Sequence, residues 1–433
     1  MVVIPQNSLL IGERIHALAE QLYPICRSIT GNGVRETLRL LQEEIPLQIF
    51  EVPSGTQVFD WTVPEEWNIR DAWVKNEQGE KIIDFKKHNL HLLNYSIPIH
   101  QKVTLKELKK HLYTLPQQPD LIPYKTSYYQ KNWGFCCTHH LMESLEEGAY
   151  EVYIDSSLEK GSLTYGEFFI PGESKEEIVF TAHICHPSLA NDNLAGIGVI
   201  TELAKYLSGK SNKYSYRFIF IPGTIGSITW LAQNQDKIPN IKCGIVASLL
   251  GDSGAFAYKK SRQGNAEIDF LVEYVLKNSG YDFQTLDFIP YGYDERQFCS
   301  PAFNLAFGNL TRSQFGAYPE YHTSGDNLDL VQPQFLAESF DVYRSLVDVF
   351  EENEYYVNLQ PHCEPQLGKR GLYDAIGGDS NSKASQMAML WVLNYSDGKH
   401  SLLEIAERSG YNLTVIERVV EILVGKGLLE KMA

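Results

Sequence analysis

A chain of 433 residues calls for two or three domains, and a composition of 43% hydrophobic and 21% charged residues excludes a mainly disordered protein. A formal net charge of −16 repels a phosphate backbone and no basic patch offsets it, so nucleic acid is not expected as the main ligand. The seven cysteines (26, 136, 137, 185, 243, 299 and 363) form no CxxC pair and fit a reducing compartment, so a cytoplasmic protein is expected.

The opening MVVIPQNSLLIGERIHALAEQLYPI has no basic region ahead of its apolar stretch and reads as a capped amphipathic helix, not a signal peptide. No apolar run reaches the roughly 18 residues that span a bilayer, so no membrane association is expected. Across residues 11–47 apolar positions recur at threes and fours (Ile15, Leu18, Leu22, then Leu38, Leu40, Leu41), which predicts two helices broken at the turn Thr30-Gly31-Asn32-Gly33.

From residue 50 to about 169 the texture becomes short β-rich stretches such as WNIRDAWVKN, KIIDF and GAYEVYIDSSL, separated by Gly, Pro and Asn turns. This predicts an inserted all-β domain at 51–159. Its middle, 116–140, is a long aromatic loop, and long loops in compact proteins tend to be functional. Tyr124, Tyr128, Tyr129 and Trp133 either wall a substrate pocket for an apolar or sugar-ring group or pack the insert on its neighbour.

From about residue 173, EEIVFTAHI, NLAGIGVITELAKYL, YRFIFIP, SITWLAQN and IKCGIVASLL alternate apolar strand with amphipathic helix. That alternation predicts βαβ units and an α/β domain with a mostly parallel sheet flanked by helices, built from 1–50 and 160–355. Ligands gather at the carboxyl ends of such strands, where His183 and Pro222 fall. After residue 349 a linker-like stretch rich in Pro, Gly and Ser precedes SQMAMLWVLNYS, LLEIAERSG, NLTVIERVVEILVGKG and LLEKMA, the layout of a winged-helix domain at 370–433. Its third helix sets Glu417 and Glu421 against Arg418 and Lys426, without the surplus of positive charge that DNA requires. A protein partner or homo-oligomer contact is expected there instead.

Two segments carry chemistry. In 181–196, which opens TAHICHP, His183 and His186 follow an apolar strand and Asp192 stands before the next helix. Neutral imidazole and carboxylate are the donors that Zn²⁺ favours in open sites. In 318–329, YPEYHTSGDNLD, His322 is a lone histidine in a loop, which by itself reads as a polar surface residue. A P-loop, a GxGxxG after a strand and a GxSxG elbow are all absent, which leaves nucleotide binding and serine hydrolysis without support.

Together these segments resemble the zinc aminopeptidases of the bacterial leucyl aminopeptidase type, a family that includes the glutaminyl cyclases. The resemblance rests on Ala182-His183, ANDNLAG at 190–196 and YHTSGD at 321–326; HICHP, PGTIGS, YDERQF and PEYHTS fit a subgroup with an inserted β-domain and a C-terminal winged helix. It implies an aminopeptidase-type fold and offers His183, Asp192 and His322 as metal ligands, with Asp252 of LLGDSG as a further carboxylate. The chain also departs from the family. Where the next strand should run into a Glu-Glu pair, one the general base and the other a ligand, YRFIFI runs into Pro222-Gly-Thr-Ile-Gly-Ser227. One zinc is then expected, with His186, Asp192 and His322 around an open position and His183 as a further or alternative ligand; two zinc ions would call on His183 and Asp252. Glu295 and Glu320 are the nearest carboxylates for the base, or else Glu320 orients a ligand and Glu295 pairs with Arg296 or Arg312. Arg312 is also a candidate for substrate contact. The expected activity is zinc-dependent hydrolysis of a peptide-like or amide bond. The alternatives are a metal-stabilised binding or assembly protein without catalysis, and an enzyme modifying amides on sugars or cell-surface polymers.

Overall fold

A computed structural model describes residues 6–372 and 381–432. The first five residues of the expected N-terminal helix and residues 373–380 of the expected linker lie outside this range. The chain divides into two units, Met1–Gly264 with Gly280–Arg344, and Asn265–Ser279 with Ser345–Ala433.

The first unit opens with two helices, α1 (Gln6–Leu22) and α2 (Asn32–Glu44), whose apolar stripes bury Ile15, Leu18 and Leu22, then Val34, Leu38 and Leu41. Gly31 between them has φ 99°, and a Cβ there would meet the Trp67 carbonyl oxygen at 2.0 Å, so only glycine serves. Strand β1 (Gln48–Pro53) follows.

The insert then begins. It contains a hairpin of β2 (Gln57–Val58) and β3 (Trp61–Thr62), the strands β4 (Glu66–Lys75), β5 (Lys81–Asp84) and β6 (Ile99–Thr104), and short elements α3 (Leu105–Leu108), β7 (Leu112–Tyr113), β8 (Phe135–Cys136) and α4 (His139–Glu143), before β9 (Ala149–Glu159). Its main sheet has the order β5-β4-β9-β6, wholly antiparallel. On β9 the residues Tyr150, Val152, Ile154 and Ser156 are buried at a period of two, the mark of a sheet with one covered face. The two short helices make the insert β-rich but not all-β, because Thr104 and Thr138 each cap a helical turn through the side-chain oxygen.

The central sheet is built from β10 (Ser162–Ile170), β11 (Glu177–His183), β12 (Ser215–Ile221), β13 (Ile241–Ala247), β14 (Phe256–Lys259), β15 (Phe283–Leu286) and β16 (Phe307–Thr311), joined to β1. Its order is β1-β10-β12-β11-β13-β16-β14-β15. The four strands β12, β11, β13 and β16 run parallel, while β1, β10 and β14 add antiparallel pairings at the flanks. Every residue of β11 and β12 is buried, as helices on both faces of a parallel core require. Helices α5 (Gly196–Ser208) and α6 (Ile225–Gln233) follow β11 and β12, so both start at the carboxyl edge where His183 ends β11.

The second unit contains α7 (Glu267–Ser279) and the chain beyond residue 345, including the end of α9 (Pro333–Glu352), which follows the one-turn α8 (Glu295–Phe298) in the sequence. Strand β17 (Tyr355–Asn358) pairs antiparallel with β18 (Asp397–Ser401) and β19 (Leu429–Lys431), around α10 (Asn381–Tyr395), α11 (Leu402–Ser409) and α12 (Leu413–Gly425). This winged helix therefore starts at β17, upstream of the expected boundary at residue 370, because the strand that its wing pairs with precedes the linker-like stretch. Ser401 and Glu404 form a capping box on α11, and Gly410, at φ 72°, ends it before Asn412 caps α12. Among the described residues no helix is long and apolar enough to cross a membrane.

Candidate metal centre

Beyond His183 the chain must turn from β11 into α5, and it does so through Ala190–Ala195, where Asp192 (φ −112°, ψ 76°) and Asn193 leave helical geometry. Asp326, far along the chain, holds this loop: its carboxylate accepts from the backbone N–H of Asn191 at 2.5 Å and of Asp192 at 3.0 Å. The Asp192 side chain is thereby fixed with no exposure to solvent.

Three imidazoles converge on that carboxylate. His183 Nε2 lies 2.8 Å from Oδ1, and His322 Nε2 and His186 Nδ1 lie 2.9 and 3.3 Å from Oδ2. Tyrosines fix the rings. Tyr293 stacks on His183 at 4.9 Å and points its hydroxyl to Asp192 Oδ1 at 3.4 Å, and Tyr321 stacks on His322 at 4.0 Å. Tyr124 meets both His186 and His322 edge-on, at 5.0 and 5.2 Å. The aromatic loop of the insert reaches the site by pairing with the His322 loop: Tyr124 N–H donates to the His322 carbonyl at 2.8 Å.

Burial lowers His183 and His322 from the usual imidazole value, against the pull of Asp192. For His186 burial acts the same way, but Cys185 and Asp192 outweigh it and raise it. Burial alone would raise Asp192, yet His186 and His183 hold it well below the carboxylate range. The ligand atoms of His183, His186 and Asp192 lie within 4.8 Å of one another, the scale on which two metal bonds of roughly 2.0–2.2 Å meet. Imidazole nitrogens around one ionised carboxylate fit a divalent metal.

The other expected site residues lie elsewhere. Asp252 does not join the cluster, because Asn191 Nδ2, Ser313 Oγ and the Gly254 N–H all donate to it, at 2.6, 2.7 and 2.6 Å. Glu295 is fully buried and ion-paired with Lys259, not with Arg296 or Arg312, so its expected role as base is not supported. Glu320 lies against Gly325 in its own loop, and no bond joins its side chain to the cluster among the described residues. Arg312 is buried against Glu338 at 2.9 Å and between the rings of Phe256 and Phe335, closed to a substrate. Trp133 is buried and stacks on His111 at 3.7 Å inside the insert. Of the aromatic loop, Tyr124 lines the centre, Tyr128 hydrogen-bonds it at 2.9 Å, and Tyr129 stands exposed beside Trp61.

Sequence reasoning missed Tyr293, Asp326 and Asp294. Tyr293 and Asp294 lie in the YDERQF motif, two positions and one position before the Glu that drew attention. Asp294 is fully buried; its Oδ1 accepts from Ser227 at 2.7 Å, and its Oδ2 has no hydrogen-bond partner among the described residues.

The family profile described as "Domain of unknown function (DUF4910)" matches residues 16–353, and one described as winged helix-turn-helix matches 354–431. A Clostridium acetobutylicum protein described as a candidate polysaccharide biosynthesis protein with an aminopeptidase-like domain is 54% identical over 425 residues, 98% of each chain. A crystal structure of a candidate peptidase from Clostridium acetobutylicum superposes with a TM-score of 0.88 at 52% identity, covering 99% of this chain and 98% of that one. A zinc aminopeptidase from Bacillus subtilis shares the fold at a TM-score of 0.58 and 12% identity, over 80% of this chain and 95% of its own.

Proposed function

The chain belongs to the DUF4910 family and has an aminopeptidase-type fold with a C-terminal winged helix, and from that premise we propose that it is a zinc-dependent hydrolase of a peptide-like or amide bond. One observation carries this reading: three imidazoles surround a single buried carboxylate at the carboxyl edge of a parallel sheet. His183, Asp192 and His322 would hold the zinc, with His186 beside them. When bound, zinc supplies a Lewis acid that polarises a substrate carbonyl. The protein's own residues prepare for that. Asp326 holds Asp192 in place through two backbone N–H groups, and Tyr293, Tyr321 and Tyr124 fix the planes of the imidazoles. The insert closes one side of the centre with Tyr124 and excludes water there.

A second reading places the amide on a sugar or a cell-surface polymer. Trp61 and Tyr129, 46% and 51% exposed with ring centroids 5.5 Å apart, offer flat faces of the kind that pyranose rings cover, and the Clostridium relative is described in terms of polysaccharide biosynthesis. Turnover of aminoacyl amides and of N-acyl amino sugars, each with and without a chelator, separates the two. Chelator-sensitive release from the first set alone supports the peptide reading, and from the second the sugar reading; no release from either overturns the hydrolase.

A further inference from the structure

Strand β12 ends at Pro222-Gly223, the point at which the resemblance calls for two carboxylates and the chain has none. The space they would enter is not open. A Cβ built on Gly223 would lie 3.2 Å from His183 Cβ and 3.4 and 3.7 Å from the two carboxylate oxygens of Asp294. The carboxylate that the strand end lacks is thus supplied from the other side, by the loop before α8, into the gap left by a glycine beside the first imidazole. Ser227, at the start of α6, donates to Oδ1 and orients the group, and Oδ2 is left buried with no partner among the described residues. Burying such an acceptor without a bond is costly, so its retention asks for a partner that arrives with the substrate.

The geometry points to Asp294 as the proton acceptor of this site, taking the part that Glu295 and Glu320 cannot. The inference rests on the hydrolase reading above. In the step, Asp294 Oδ2 takes a proton from water as the water oxygen bonds to the amide carbon and the carbonyl π pair moves onto its oxygen. When that pair re-forms the carbonyl, the C–N bond breaks and the same proton passes to the leaving nitrogen. An acid and an amine result, with Asp294 again a carboxylate. Burial also lifts Asp294 to about 7, against the pull of Ser227, which suits a group that must take and return a proton near neutrality. Glu295, one position on, has its charge matched by Lys259 and is held out of this role.

The test uses the full-length zinc-loaded protein and acetohydroxamic acid, a probe that chelates zinc and releases a proton to a neighbouring base. Calorimetric titration is expected to show D294N binding the probe at least about tenfold more weakly, the scale of one charge-assisted hydrogen bond, with zinc per chain unchanged. S227A, which keeps the carboxylate but frees it to rotate, should weaken binding less and in the same direction, and it carries the test should D294N fail to fold. Equal affinity in the wild type and in whichever variant folds overturns the role of Asp294 alone. Absence of both zinc and probe binding in the wild type overturns the hydrolase reading and this inference with it.

Discussion

Asp192 is unusual among the buried acids of this chain in having three ring nitrogens, and no lysine or arginine, as its ionic partners. Such a carboxylate gains most from a cation shared among all four side chains. His322 comes from a segment remote in sequence, so a metal there clips two loops together and stabilises only the folded state. His322→Ala is therefore expected to lose zinc by elemental analysis and to melt at a lower temperature, with helical circular dichroism retained because the sheet core does not depend on the metal. A surface histidine would change stability by no more than about 0.5 kcal/mol; unchanged zinc content would refute the centre. A second residue stands apart from the site. Arg217 on β12 joins Glu177 of β11 through two bonds, at 2.6 and 2.9 Å, and Glu167 of β10, all three buried. Removing the guanidinium leaves two carboxylates in the sheet with only Lys237 and Trp230 near one of them. Arg217→Met should cost about 3–5 kcal/mol in denaturant unfolding, and a loss below about 1 kcal/mol would mean that water relieves the charges.

At the scale of elements, the strands and helices around the centre were legible because apolar period and turn chemistry agree with burial: β11 and β12 are mostly apolar, wholly buried runs that end at His183 and just before Pro222. The fold does bring together His183, His186, Asp192 and His322, the first three suggested by the strand end and the helix mouth and the last by the resemblance. What sequence could not give is the direction of a side chain on a loop. Asp294 and Glu295 are adjacent acids in one motif, and only packing decides that the first enters the gap at Gly223 while the second meets Lys259. Asp252 is drawn away by the amide of Asn191, itself part of the metal loop, and Trp133 faces the interior because His111 offers it a stacking partner. The join of the insert to the sheet is a further case. Arg35 on α2 makes a two-bond fork to Glu66 at the start of β4, at 2.7 and 2.6 Å, and Ser162 N–H at the start of β10 donates to the same carboxylate at 2.9 Å. Hydrogen bonding to Arg35 lowers Glu66 from 4.5 to about 2. A depressed carboxyl stabilises the fold fully above its unfolded value and loses that contribution as pH falls through its folded value. Wild-type stability should thus decline between pH 4.5 and about 2 in part through Glu66. Glu66→Gln should lower stability at pH 7 by about 1–2 kcal/mol and flatten the acid limb; urea midpoints at several pH values read both.

For the whole molecule, the second unit is not a tail. It takes α7 from the middle of the chain, and within that unit α7 packs on α11, Lys277 pairs with Glu407 at 3.0 Å, and Tyr355 donates to Glu267 at 2.6 Å. A chain ended after residue 352 keeps α7 but loses these partners. It is expected to aggregate on expression or to melt well below the full-length protein, even though every residue of the metal centre remains; a soluble truncation with the wild-type melting temperature would show that α7 stands by itself. The boundary that the sequence suggests is a point, whereas the structure makes it three cuts, at 264/265, 279/280 and 344/345.

That repeated crossing has a consequence for the newborn chain. Synthesis runs from one end, so α7 leaves the ribosome long before α11 exists. At a pace of about 5–20 residues per second the wait is on the order of ten seconds. For that interval Leu271, Val272 and Leu276, buried in the finished protein, belong to a helix whose neighbour has not yet been made. The sheet of the first unit spans the same gap, with β14 before α7 and β15 after it, so it cannot close around a finished loop. A cell that makes this protein leaves that helix without its partner until α11 has been translated.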